Sequence, residues 1–348
     1  MNAPSSPDAF AWMALAARPR VGPAAVRRLV RKAGSAWMAW EAWARQDPLA
    51  ASDVEATARD RLAQLEGLHA YAVTLDDPRY PALLRHIHDA PPALYVRGAL
   101  PEACAWRRAL AVVGTRSCTP QGAAWAREVG RDWVAAGGRV VSGLARGVDA
   151  AAHRGGLGAT VAVLPCGLDA IHPRMHADLA EAIVAGGGLL VTEQPPGAQV
   201  ERWMFAARNR IVTGLCPATV VVQSPSRGGS LISAQCALDQ DREVYTFSPV
   251  GVDASWSGNR SLATSGSAVC VHNPMHLWEV MAGLSPPAEL EHSVELDVWN
   301  ALDARTARTP HDLQERLAFS QRDLEGHLLT LERQGLARRT WGSRWLRR

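Results

Sequence analysis

The stretch from Ala109 to Gly122, ALAVVGTRSCTPQG, constrains this chain more than any other. Leu110 to Val113 is a run of small and β-branched apolar residues with no polar alternation, which suits a strand buried on both faces. Gly114 ends the run, and Thr115, Arg116 and Ser117 make a polar turn. From Trp125 to Ala135, the residues Trp125, Val129, Trp133 and Val134 fall on one side of a helix. A buried strand, a tight turn and a covering helix form the repeating unit of a parallel α/β sheet. Such sheets bind ligands beyond the carboxyl ends of their strands. The Gly-Thr-Arg turn sits at that end and offers backbone amides, a hydroxyl and a guanidinium.

The same alternation continues to about residue 271. Strands are expected at Arg139–Ser142, Thr160–Leu164, Gly188–Thr192, Ala218–Gln223 and Glu243–Phe247. Helices are expected from Ala150, over Leu179–Ala185, over Phe205–Gly214 and over Ser230–Gln240. This spacing predicts a doubly wound, mostly parallel sheet. Glycine-rich turns recur at strand ends, at 114, 143, 167 and 228–229. With nearby arginines they read as a row of anion-binding turns.

The flanks differ in character. Ala9 to Arg18 and a segment beginning at Pro23 read as two helices around the turn Arg20-Val21-Gly22-Pro23, with Gly34 as a stop. This resembles a helix-hairpin-helix or SAM-like unit, read either as a phosphate-contacting module or as a small helical accessory domain; Trp37, Trp40 and Trp43 are expected in its core. Leu75 to Gly98 reads as an irregular linker with a short strand at Leu94–Val96. After Pro286-Pro287, helices are expected at Val294–Leu302, after Thr309 and after Ser320, with Thr309 and Ser320 as N-caps. A hairpin around Trp341-Gly342-Ser343 follows, so the end of the chain reads as a winged helix for DNA, a partner or a dimer contact. The expected domains are residues 1–70, 71–285 and 290–348.

Apolar residues make up 47% of the chain and charged residues 20%, enough apolar content for a large core, and no run approaches a membrane span. The first residues lack a signal-like pattern, so a cytoplasmic protein is expected. Six scattered cysteines without a CxxC pair give neither a disulfide framework nor a zinc spacing. The net charge is only +3, so arginine position carries more information than arginine number. Arg338, Arg339, Arg344, Arg347 and Arg348 crowd the last eleven residues with no acid among them.

Several chemistries find no support. No G-x-G-x-x-G follows the first strand, against dinucleotide use. Lys32 is the one lysine, so there is no Walker lysine. Ser142-Gly143 lacks the flanks of a nucleophile elbow. Asp149 and His153 share a helix face, but a metal site needs more ligands than this pair, and an internal hydrogen bond is the simpler reading. No cofactor or metal is expected.

The motifs together resemble the DNA-processing protein A (DprA, also called Smf) family over about residues 80–270. The matching segments are Tyr80-Pro81, Pro91-Pro92-Ala93-Leu94-Tyr95 with Gly98, Val113-Gly114-Thr115-Arg116, Ser142 to Asp149 with His153, and Thr160 to Leu168 with His172-Pro173. Glu193-Gln194-Pro195, Phe205 with Arg208-Asn209-Arg210-Ile211, and Gly229-Ser230-Leu231 complete them.

The resemblance implies an extended Rossmann-like fold and a homodimer that binds single-stranded DNA in natural transformation. Such a protein protects incoming strands, helps to load the RecA recombinase, and is not an enzyme. It implies that Gly114, Thr115 and Arg116 hold a phosphate, and that Arg202 and Phe205 supply a basic residue and a base-stacking ring. The implied DNA-binding set also takes in Ser142, Gly143, Arg146, Gly229 and Ser230. Arg208 and Arg210 would line the same pocket, with Asn209 and Arg210 alternatively bracing the turns. The sequence departs from the family at Gln223, at Arg227-Gly228-Gly229-Ser230 and at Pro249-Val250-Gly251. The alternatives are a nucleotide phosphoribohydrolase of the kind once called lysine decarboxylases, or a nucleotide-binding sensor. Gln235 stands where that enzyme carries a catalytic glutamate, and an amide cannot act as its base.

Overall fold

The computed structural model describes residues 7–19, 21–248, 253–281, 295–302, 307–317, 319–340 and 343–347. It divides into two compact units, Met1–Pro274 and Met275–Arg348. In the first unit four helices come before the sheet: α1 (Pro7–Ala17), α2 (Pro23–Ala33), α3 (Ala36–Gln46) and α4 (Pro48–Gly67). Pro23 opens α2 and Gly34 closes it with a φ of 94°, a left-handed cap that glycine adopts without strain. Trp12, Trp40, Val26 and Ala58 pack together at the centre of the four helices. Trp40 is buried as expected, whereas Trp37 stands 38% exposed. These helices are tied to the rest of the unit. Trp12 Nε1 donates to Asp76 at 2.6 Å, and Arg27 donates to the carbonyls of Ile87 and His88.

The segment expected to be a linker is more regular than its prolines suggest. It contributes β1 (Ala70–Thr74), α5 (Ala82–Arg85) and β2 (Ala93–Gly98), with β1 and β2 antiparallel. The main alternation follows: β3 (Ala109–Val113), α6 (Pro120–Ala135), β4 (Arg139–Ser142), α7 (Val148–Gly155), β5 (Thr160–Val163), α8 (Ala177–Ala185) and β6 (Leu189–Thr192). Next come α9 (Arg202–Ala207), α10 (Asn209–Gly214), β7 (Ala218–Val221), α11 (Gly229–Asp239), β8 (Glu243–Phe247), α12 (Ser257–Thr264), β9 (Val269–Val271) and α13 (Pro274–Met281). β3, β5, β6 and β7 are buried at every position, which is why they lack polar alternation. α6 and α7 approach closely because Gly130 and Gly155 carry no side chain; a Cβ on either would overlap a backbone carbonyl of the other helix.

The sheet order is β1-β2-β6-β5-β4-β3-β7-β8-β9. From β6 to β9 every neighbouring pair is parallel, and β2 joins β6 antiparallel. The chain leaves β3 toward β4, β5 and β6, but leaves β7 toward β8 and β9. The winding therefore reverses between β3 and β7, and the loops after these two strands diverge to open a crevice at their carboxyl ends. The expected doubly wound sheet is the one observed, with its switch point beside the Gly-Thr-Arg turn.

The second unit contains α14 (Glu295–Ala301), α15 (Pro310–Gln314), α16 (Gln321–Arg333) and the antiparallel pair β10 (Ala337–Thr340) and β11 (Arg344–Arg347). Thr309 and Asp312 form a reciprocal capping box, and Ser320 accepts from the Asp323 amide. Trp299, Leu313, Leu324, Leu328, Leu331 and Trp345 make a separate core. Pro286-Pro287, Trp341-Gly342 and Pro249-Val250-Gly251 lie outside the described residues. Among the described residues no helix is long and apolar enough to cross a membrane.

Because the sheet and the N-terminal helices keep their cores within Met1–Pro274, a fragment ending at residue 281 should unfold cooperatively. Its melting temperature should lie within about 4 °C of the main transition of the whole chain, the shift that ~1 kcal/mol produces in a domain of this size. A broad, non-cooperative melt by circular dichroism would contradict the division.

Candidate nucleic-acid interface

A cleft of about 480 Å³ occupies the switch point. Gly114, Thr115 and Arg116 form one wall, Arg227 to Ser230 the other, and Arg202, Phe205 and Ala206 of α9 lie alongside. The two walls are joined at the base, where the Thr115 amide donates to the Gln223 carbonyl at 2.7 Å and the Val148 amide donates to the Thr115 carbonyl. Gly114 is required here because a Cβ would meet Gln223 O at 2.9 Å and press into the Val148 side chain. Gly147 has a φ of 76°, and a Cβ there would overlap Thr115 O. The turn after β3 is thus held from both sides and presents Arg116 outward.

Gln223 is fully buried. Its Oε1 accepts from the Thr119 amide and hydroxyl, and its Nε2 donates to Ser255 at 2.8 Å. An amide can both accept and donate, so this departure from the family pattern serves as a brace under the cleft. Asn259, also fully buried, accepts from the Ser224 amide at 2.7 Å and donates to Val221 O and Thr246 Oγ1. Together they fix the loop between β7 and α11.

That loop ends at the N-terminus of α11. The Gly228 amide donates to Pro225 O and the Leu231 amide to Gly228 O. Gly229 and Ser230 are the first helical residues, so their amides have no acceptor within the helix. No atom lies within 4 Å of the position a Cβ on Gly229 would take, so its backbone borders open space. The Ser230 hydroxyl donates to Ser224 Oγ at 2.8 Å, which turns the side chain into the loop. The positive end of an eleven-residue helix thus stands opposite Arg116, with Arg202 and Arg227 exposed nearby.

Phe205 is half-buried on the edge of the cleft. The Arg116 guanidinium lies 5.3 Å from its ring centroid, and the His172 ring meets it edge-to-face at 5.3 Å.

The turn after β4 differs from the expectation. Leu144 takes a left-handed conformation with a φ of 57°. The amides of Gly143 and Ala145 donate to Asp149 Oδ2, and the Leu144 amide donates to His153 Nε2 at 3.3 Å. The Leu144 carbonyl accepts from His176 Nδ1. Asp149 and His153 therefore satisfy the turn and not each other, and the amides of residues 143–145 are all taken. Ser142 is fully buried, with its hydroxyl donating to Val112 O. Gly143 lines the cleft only because its missing side chain admits the Arg208 guanidinium. Arg208 is 6% exposed and donates to Val163 O at 2.7 Å, with Asp149 at 4.0 Å. It forms the floor of the cleft and interrupts the expected single helix between α9 and α10. Arg210 lies outside the cleft, where it donates to Glu193 and Asp89 at 2.7 Å. Asn209 lines the cleft and reaches Gly229 O. Arg146 is exposed and borders a smaller adjoining hollow.

Burial controls the charges of this floor. It pushes the Asp149 carboxyl up and the Arg208 guanidinium down, each opposed by the other's charge. Burial also pushes His153 down to about 3, helped by the nearby Arg208 charge. A neutral His153 that accepts at Nε2 carries its proton on Nδ1 and donates to Thr160 Oγ1 at 2.7 Å.

Sequence reasoning passed over Arg227 as a departure and gave no role to Asn259. It also used His172 only as part of a motif. The burial of Asn259 and the ring contact of His172 arise from residues far apart in the chain, which no local pattern records.

This arrangement defines a switch-point cleft with arginines and an aromatic side, on a Rossmann-like sheet. Residues 71–282 match the DNA recombination-mediator protein A family, and the chain belongs to it. Protein Smf of Synechocystis is 36% identical over 257 residues, covering 68% of this chain and 63% of that protein. Protein Smf of Escherichia coli is 38% identical over 63% of this chain and 58% of its own length. The chain thus spans about three fifths of the length of these curated relatives. The structure of DNA processing protein A of Streptococcus pneumoniae superposes with a TM-score of 0.66 at 25% identity, covering 79% of this chain and 97% of that one. A second structure is that of DNA processing protein A of Helicobacter pylori, solved for its single-stranded DNA binding mode. It gives a TM-score of 0.55 at 25% identity, covering 62% of this chain and 97% of that one.

His153 sets a pH dependence. Its folded value of about 3 lies below the ordinary 6.5, so the unfolded chain binds the extra proton between these limits. The stability it contributes is complete above pH 6.5 and is lost as pH falls toward 3, at up to ~1.4 kcal/mol per pH unit. Asp149, shifted upward, contributes with the opposite sign. Denaturant melts of His153→Gln should give a less stable protein at pH 7.5 with a shallower fall between pH 6.5 and 5 than the wild type. Parallel curves would contradict the buried neutral imidazole.

Proposed function

We propose that this chain binds single-stranded DNA along the switch-point cleft, with little preference for base sequence. The observation that carries this reading is the convergence of Arg116, the Gly229 and Ser230 amides and the half-buried Phe205 at one sheet end. Backbone phosphates suit the amides and guanidinium, and bases stack on aromatic rings whatever their identity. Thr115 and Gly114 hold Arg116 in place, and Arg202 adds charge at the rim. The names of the relatives support a role in DNA processing; within that role the reading is that this chain protects strands taken up in natural transformation and helps to load the RecA recombinase, as a cytoplasmic homodimer without cofactor. The C-terminal unit is read as a winged helix that assists by a partner or DNA contact, and is not the primary strand site.

The function is binding and not catalysis. A phosphoribohydrolase reading requires a carboxylate where this chain has Gln235. That side chain is exposed and donates to Asp239 at 2.8 Å, directed along its own helix.

Fluorescence titration of labelled oligonucleotides tests the reading. Single strands should bind tighter than duplex, with a log-log salt slope of about −0.7 per phosphate contacted. Arg116→Ala should weaken binding and make the slope shallower by nearly one contact, and Arg116→Lys should recover only part, lacking the planar fork. Phe205→Ala should lose about 1–3 kcal/mol per stacked base at unchanged slope, with wild-type melting. Arg208→Ala should instead unfold earlier, by about 3–5 kcal/mol, because it strands Asp149. Equal affinity for duplex and single strand, or a flat salt response, would contradict the reading.

A further inference from the structure

The N-terminal helices carry a basic face that the cleft does not use. Val26 and Val30 turn α2 toward the core of the four helices. Arg28, Leu29, Arg31 and Lys32 stand exposed on its other side, and α2 contains no acid. None of these three cationic side chains has a hydrogen-bond or ion-pair partner among the described residues. Gly34 and Ser35 then turn the chain into α3, whose first turn presents Trp37 at 38% exposure and Met38 at 57%. The Trp37 amide donates to Asp8 at 2.9 Å, which fixes the start of α3, and Glu41 one turn on is paired with Arg45.

We propose that this face is a second contact for the single strand, outside the cleft. Arg28, Arg31 and Lys32 hold phosphates of the nucleotides that lead away from the cleft, and the Trp37 ring stacks one of their bases. The inference rests on the single-strand reading above and deepens it, giving the strand a track longer than the cleft.

Composition and placement together select this occupant. Free cations around an exposed aromatic ring are the combination that holds a strand without reading its sequence. Complementing the negative end of α2 accounts for Arg31 and Lys32 in the last turn, but not for Arg28 or for an exposed tryptophan. The helix is joined to the flank of the cleft within one compact unit. Arg27 donates to the carbonyls of Ile87 and His88 at 2.8 and 2.7 Å. The next residue, Asp89, accepts from Arg210 Nε at 2.7 Å, and Arg210 follows Asn209, which lines the cleft. Asp89 and Glu193, the acids along this route, are both bonded to Arg210, which tempers their repulsion of a phosphate. A second copy of the face would be repelled by like charge, and a duplex hides the faces of its bases from Trp37. An acidic peptide would meet the same cations, so the test asks directly whether a strand covers them.

Lys32 is the one lysine of the chain, so amine acetylation read by peptide mass reports on this face alone. The full chain is labelled with strand in excess, using two oligothymidylates: the shortest that gives a saturable titration, and one longer by about ten nucleotides, the order of one single-strand site. The longer strand should slow Lys32 acetylation several-fold, and the shorter one should leave it unchanged. Arg28→Ala with Arg31→Ala should weaken binding of the longer strand by about tenfold and make its salt slope shallower by about 1.4, two contacts' worth, with the shorter strand unaffected. Trp37→Ala should cost the longer strand about tenfold at unchanged slope, and Trp37→Phe, which keeps a ring, should retain most of the affinity. Arg116→Ala should weaken both lengths. Lys32 acetylated at the free rate under the longer strand assigns the face to another partner and overturns the proposal, whether or not the variants fold. Losses that are equal for the two lengths overturn it as well, and so does equal protection of Lys32 by a duplex of the same length. Each of these results leaves the cleft reading standing, whereas a wild type that binds neither strand overturns both.

Discussion

The hydrogen bond from the Thr115 amide to the Gln223 carbonyl joins the two strands between which the sheet reverses its winding. Strands diverging at a switch point would leave their loops apart. This bond, with a glycine at 114 that lets the backbones approach, keeps them in register at the base while they part above. The placement of Arg116 opposite the α11 N-terminus follows from it. The braces below are polar and fully buried: Gln223 binds both Thr119 and Ser255, and Asn259 ties the loop after β7 to β8. Buried polar groups of this kind stabilise only when satisfied, and each of them is.

The chain separates buried, partnered cations from exposed ones. Arg208 and Arg210 are consumed by backbone and carboxylate partners, and their charges set the cleft floor and its flank. Arg116, Arg146, Arg202 and Arg227 are left at the cleft walls and rims. The turn after β4 is inward over residues 143–145: Asp149 and His153 take the three amides and His176 the Leu144 carbonyl, while Arg146 stays exposed.

Much of this was legible from residues alone. Mostly apolar runs pointed to the strands β3 to β8, Thr309 and Ser320 marked their helix starts, and the Gly-Thr-Arg turn marked the cleft. β1 and β9 were missed because they are short and border irregular segments, and α4 because its polar sequence carries no clear apolar stripe. Arg208 lines the cleft as expected and Arg210 takes the bracing alternative, but the inward set of the 143–145 amides was not legible, for a different reason. A glycine-rich turn looks the same whether its amides face solvent or a buried carboxylate, and an arginine does not declare which carbonyl it will meet. Those choices depend on Val163, Glu193 and Asp149, which local pattern does not connect to them.

The central claim is that phosphate is held by Arg116 and the first amides of α11. Amide-resolved NMR titration of the whole chain with a short oligothymidylate tests it most directly. The Gly229 and Ser230 amides should shift strongly at substoichiometric strand, and Arg116→Ala should reduce those shifts. The Gly143, Leu144 and Ala145 amides, already bonded to Asp149 and His153, should move little. Large shifts at 143–145 with silent amides at 229 and 230 would contradict the account.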